Sequence, residues 1–144
     1  MRFMVIVKAT PESEAGAMPS EEILNAMGRF NEELVKAGVM LDANGLQSSA
    51  KGARIKFGGA KPTVTDGPFT ETKELVAGYW VIDVKSKDEA IEWMKRAPFT
   101  DNEEIEIRQV FEIEDFIEGG VSPDNEALRN EPGLLAEAQK RKNS

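Results

Sequence analysis

The chain has 144 residues, 40% of them apolar and 31% charged, with a net charge of −8. Such a length buries a core without disulfides or a structural metal, and no apolar run reaches the roughly 18 residues of a membrane span. With no histidine and no cysteine, His/Cys zinc sites, His- or Cys-ligated haem and thiol chemistry are excluded, and the acidic balance argues against nucleic acid, whose phosphates need a basic stripe.

In chain order, "RFMVIVK" at 2–8 is apolar on both alternating faces, with Phe3, Val5 and Val7 on one side and Met4 and Ile6 on the other. This reads as a central strand, and the apolar stretch is too short for a signal-peptide core. Residues 11–19 contain Pro, Ser and Gly and read as a loop. Ser20 then caps a helix whose stripe is Ile23, Leu24, Met27, Phe30, Leu34 and Val35, and Gly38 ends it. Residues 39–47 read as a strand or extended arm with a turn near Asn44-Gly45, and 54–57 with 63–65 form a hairpin across Gly58-Gly59. "VAGYWVIDV" at 76–84 is a second strand apolar on both faces. Ser86 and Glu89 fit a capping box for a helix that buries Ala90, Ile91, Met94 and Ala97 and stops at Pro98. "EIEIRQVFEI" at 104–113 alternates as a strand, placing Glu106 and Arg108 opposite Ile105 and Ile107. Residues 119–125 read as a linker, followed by two short helices broken at Pro132-Gly133.

Two helices cover only one face of a four-stranded sheet, yet both central strands are apolar on the other face as well. An apolar sheet face of that size calls for a partner, and a two-fold homodimer is the simplest.

Four stretches carry a family resemblance: "DGPFTETKE" at 66–74, "FNEELVKAGVMLDANGL" at 30–46, "AGYWVIDVKSKDEAIEW" at 77–93 and "IEIR" at 105–108. The chain resembles the YCII-related superfamily, and within it the branch named for a DGPFAETKE motif, with Thr70 in place of the motif's alanine. The resemblance spans about residues 1–118 and leaves a tail, 119–144, outside it. It implies an α+β, ferredoxin-like β-α-β-(hairpin)-β-α-β fold that dimerises as an α/β barrel, with the tail as a short helical appendage. Some superfamily members look like small enzymes with a His-Asp pair. This chain has no histidine, so that chemistry does not carry over. Members of the branch occur beside extracytoplasmic-function sigma factors, which implies an accessory or regulatory role.

Candidate site residues carry alternatives. Asp66 is either an Asx-type turn acceptor or a general acid or base at the mouth of a dimer cavity. Gly67 is read as suiting the unusual backbone before Pro68, and Phe69 as a core plug that can also line the cavity. Glu106 is the second candidate for acid–base work. Arg108 can fork onto a carboxylate of a small anionic ligand, or satisfy Glu106 or Asp66. Tyr79 offers its phenol to the cavity or packs in the core with its hydroxyl satisfied. Glu71, Lys73 and Glu74 are a solvated run, or pair with the opposite chain or with Arg108. No metal or cofactor is expected: there is no EF-hand spacing, Walker loop or dinucleotide fingerprint. A cytoplasmic homodimer is expected, either an accessory protein with a small-ligand cavity or a cofactor-free enzyme acting on a small acidic metabolite.

Overall fold

β1 (Arg2–Lys8) lies in the middle of a four-stranded sheet, which orders as β2 (Met40–Gly45), β5 (Val76–Asp83), β1 and β6 (Ile105–Gln109). Every neighbouring pair is antiparallel. The two strands with apolar residues on both faces are therefore the two central ones. α2 (Glu21–Lys36) connects β1 to β2 and α3 (Lys87–Met94) connects β5 to β6. This mixed α+β arrangement is compatible with a ferredoxin-like fold. β3 (Ala53–Lys56) and β4 (Thr63–Asp66) form a separate two-stranded ribbon, with Ile55 opposite Val64. The computed structural model describes residues 1–71 and 74–143, without the side chains of residues 134 and 135.

The chain divides into two compact units, Met1–Val110 and Phe111–Ser144. In the first, both helices lie on one face of the sheet. Phe30 and Leu34 of α2 and Ala90 and Met94 of α3 share a buried cluster with Phe3, Val5, Trp80, Ile82 and Val84. Phe3, Val5, Leu34 and Ile82 are its most completely enclosed side chains, each stabilising by about 1.5–3 kcal/mol through burial. Trp80 sits edge-on to Phe30 at 5.9 Å and to Phe99 at 6.1 Å. The opposite face, carrying Met4, Ile6, Tyr79 and Val81, has no helix over it within this unit.

Local chemistry sets the helix ends. Ser20 accepts from the Ile23 N–H at 3.2 Å. Gly38, at φ 71°, closes α2 as a Schellman turn: its N–H reaches the Val35 carbonyl, and the Val39 N–H reaches that of Leu34.

Several elements depart from the sequence reading. Residues 11–14 form a one-turn helix, α1 (Pro11–Glu14), because Thr10 and Ser13 cap each other reciprocally and Pro11 stands at its start. The apolar stripe of α2 is only partly used, since Ile23, Leu24 and Val35 are exposed while Phe30 and Leu34 are buried. Ser86 caps α3, but the Glu89 carboxylate accepts from the Lys85 N–H rather than that of Ser86. The last strand stops at Gln109, and Ile113 opens a helix, α4 (Ile113–Glu118), whose cap joins Glu112 and Asp115. The tail is one helix, α5 (Glu126–Asn143), running through Pro132. A proline removes one ladder bond, and the good helix formers around it carry the helix across. In this second unit, Phe111 stacks on Phe116 at 5.0 Å.

Candidate functional site

The Asp66-Gly67-Pro68-Phe69 loop leaves β4 and is held from three directions. The Gly67 N–H donates to the Gly52 carbonyl at 3.0 Å, and the Gly67–Pro68 bond is cis. A Cβ on Gly67 would stand 1.8 Å from the Ser49 carbonyl oxygen, so no other residue fits there. The requirement is close backbone approach, not the restriction imposed by Pro68. The Phe69 N–H donates to Ser49 Oγ at 3.0 Å. Ser49 in turn donates its N–H to Glu14 Oε1 at 3.0 Å and its hydroxyl to the other oxygen of the same carboxylate. The Ser49 hydroxyl first, and its N–H second, hold the Glu14 carboxyl below its ordinary pKa.

Phe69 is half-buried, not a core plug, and the Arg54 guanidinium lies 3.9 Å over its ring. Asp66 is exposed opposite Ala53, and among the described residues its carboxylate has no hydrogen-bond or ion-pair partner. The carboxylate that organises this loop is thus Glu14, which comes from the segment read as irregular. Glu71 is exposed, and Lys73 lies outside the described residues.

The sheet face that no helix of this unit covers carries two polar clusters. In β6, Glu106 and Arg108 stand opposite Ile6 and Met4 of β1. Glu106 lies between two cations, 3.3 Å from Lys8 Nζ and 3.2 Å from Arg108. The Arg108 hydrogen bond first, then Lys8, hold the Glu106 carboxyl below its ordinary pKa. At the other edge, Tyr79 is half-buried; its hydroxyl donates to Asp42 at 3.1 Å and accepts from the Asn44 amide at 3.0 Å. Between the clusters lie Met4, Ile6 and Val81, all half-buried. Glu106 and Arg108 are therefore brought together, Tyr79 shares their face, and Asp66 and Phe69 belong to the ribbon and its loop.

A pocket of about 240 Å³ opens on the helix side of the sheet. Met27 and Asn31 of α2, Val7, Ala43, Gly78 and Trp80 of the sheet, and Phe99 line it, with Asn44 and Tyr79 at its rim. None of its lining residues is charged. Trp80 Nε1 donates to Asn31 Oδ1 at 2.9 Å. An indole only donates, so this bond orients the amide and leaves the Asn31 NH₂ group to meet a ligand. At Gly78 a Cβ would stand 3.0 Å from the Asn44 carbonyl oxygen, a tight contact that β2 relieves only by giving way a few tenths of an ångström. The sequence reading placed Met27 on the apolar stripe of α2 but not in a pocket, and missed Asn31 and Phe99. The available signal was a lone polar residue beside Phe30, on a helix face otherwise assigned to the core.

Chemically, this pocket can bind and orient but holds no ionised acid or base. Among the described residues no group of three or more acidic side chains is placed to hold a metal, and no helix is long and apolar enough to cross a membrane.

Comparison with known proteins places the chain. An uncharacterized protein of Rhizobium meliloti (strain 1021) is 30% identical over 87 residues, covering 58% of this chain and 70% of that protein. The solved 5-chloro-2-hydroxyhydroquinone dehydrochlorinase of Burkholderia phenoliruptrix AC1100, in complex with 2,5-dihydroxybenzoquinone, aligns over 78% of this chain and 95% of its own, at 14% identity and a TM-score of 0.40. A likeness that loose carries no argument. The YCII-related domain matches residues 1–114, and on that match the chain belongs to the YCII-related family.

Proposed function

We propose that this protein is a cytoplasmic, accessory homodimer of the DGPF branch that holds a small, neutral, largely apolar molecule in the pocket between α2 and the sheet. The observation that carries this reading is the pocket's lining: Met27, Trp80 and Phe99 around the free amide of Asn31, with no charged side chain. Such a site favours a flat molecule offering one acceptor to the amide. The nine-residue motif at 66–74 supports the branch. The pairing is supported by Met4, Ile6 and Val81, an apolar strip flanked by hydrogen-bonded polar clusters that a second sheet would cover.

The enzyme reading finds less support. Asp66 and Glu106 sit in different sheets, and Glu106 is held ionised by two cations, which makes it a weak base near neutral pH. A small anion would find its cations, Lys8 and Arg108, on the open face rather than in the pocket.

A thermal-shift and calorimetric screen of the whole protein against neutral aromatics and small carboxylates tests the reading. Neutral aromatics should raise the melting temperature, and Ala43→Leu, which fills the pocket, should abolish that rise. Carboxylates stabilising wild type and Ala43→Leu equally would overturn it.

A further inference from the structure

The β3–β4 ribbon forms a sheet of its own. A two-stranded ribbon is marginal by itself in water, and this one leaves Ile55, Phe57 and Val64 exposed by 57%, 79% and 64%. Residues 51–65 carry Lys51, Arg54, Lys56 and Lys61 and no carboxylate, in a chain of net charge −8. None of these cations forms an ion pair among the described residues.

A groove of about 840 Å³ in the same unit has the opposite character. Its apolar lining includes Met18, Ile23 and Leu24, exposed by 84%, 41% and 52%. The charged residues that line it are Glu12, Asp101 and Glu103, with no lysine or arginine among them. These carboxylates also form no ion pair among the described residues. No residue of β3 or β4 lines this groove in its own chain.

We propose that the ribbon is an exchange arm that docks into the acidic, apolar groove of a second copy of this chain, while that copy's arm docks reciprocally. Each chain carries both halves of the contact, basic-apolar and acidic-apolar. A two-fold exchange satisfies both at once and repels an inverted pairing. The exposed stripe of α2, Ile23 and Leu24, acquires a partner, as do Phe57 and the unpaired cations beside it.

The test uses two full-length variants, Lys56→Glu/Lys61→Glu and Glu12→Lys/Asp101→Lys, studied alone and mixed by analytical ultracentrifugation. All four positions are exposed, so circular dichroism should match wild type. Each variant alone should self-associate about tenfold or more weakly than wild type. The mixture should recover association as a 1:1 heterodimer, because reversed arm then meets reversed groove. Unchanged self-association of either variant, random mixing without preference for the heterodimer, or a wild type that stays monomeric would each overturn the proposal. Ile6→Asp reports separately on pairing through the open sheet face, so the two contacts fail independently.

Discussion

Glu14 holds Ser49 across 35 residues of sequence, accepting both its N–H, at 3.0 Å, and its hydroxyl. Because Ser49 Oγ also accepts from the Phe69 N–H, one carboxylate near the N-terminus braces the loop that follows β4.

Ser49→Ala should cost about 1–2 kcal/mol, the loss of a part-buried hydroxyl with two partners. Amide exchange at Phe69 should accelerate more than exchange in β1. Unchanged protection of Phe69 would show that Gly67 and the chain path hold the loop without Ser49.

Glu14 and Glu106 make stability depend on pH in a definite direction. Both carboxyls are lowered in the folded protein, so their contributions are complete above the ordinary carboxylate pKa. They are lost as pH falls through the lowered folded values. Unfolding in urea from pH 7 down to pH 3 should show that decline, and Glu14→Gln should flatten part of it. A Glu14→Gln curve parallel to wild type throughout would contradict the bracing role.

Gly67→Ala should destabilise by about 2–3 kcal/mol, because its Cβ would meet the Ser49 carbonyl oxygen at 1.8 Å and backbone must move. Gly28→Ala, inside α2 with nothing within 4 Å of its Cβ, should instead stabilise by about 0.5–1 kcal/mol. Denaturant midpoints of the two variants, falling on opposite sides of wild type, check both statements.

Leu34 and Val35 are adjacent, yet Leu34 is fully buried and Val35 is 60% exposed. Leu34→Ala should cost about 3 kcal/mol through lost burial and a cavity, and Val35→Ala less than about 0.5 kcal/mol. A comparable loss at Val35 would mean that a partner covers that side of α2.

Ile6→Asp places a carboxylate opposite Glu106 and in the apolar strip of the open face. It should weaken self-association at micromolar concentration while leaving the far-ultraviolet circular dichroism unchanged. Light scattering at graded concentrations measures this, and an unaltered dimer would remove the open face as a pairing surface.

Alternation in "RFMVIVK" and "VAGYWVIDV" was enough to identify the central strands, and spacing put Glu106 and Arg108 on the strand face opposite Ile105 and Ile107, while which face the helices cover was decided by the tertiary structure. Capping by Ser20, the Gly38 turn and the β3–β4 hairpin were legible too, because each depends on residues a few positions apart. The roles of Glu14 and Asn31 were not legible. Glu14 acts on Ser49 only because the chain returns to it after α2 and β2, and Asn31 matters only because Trp80 packs against that turn of the helix. The same limit explains Ile23 and Leu24, which fit the stripe of α2 by period but lie beyond Met27, Phe30 and Leu34, the residues of that stripe that pack against the core. Periodicity and capping are local properties of the chain, whereas long-range hydrogen bonds and the extent of burial depend on where distant segments meet, which the tertiary structure alone decides.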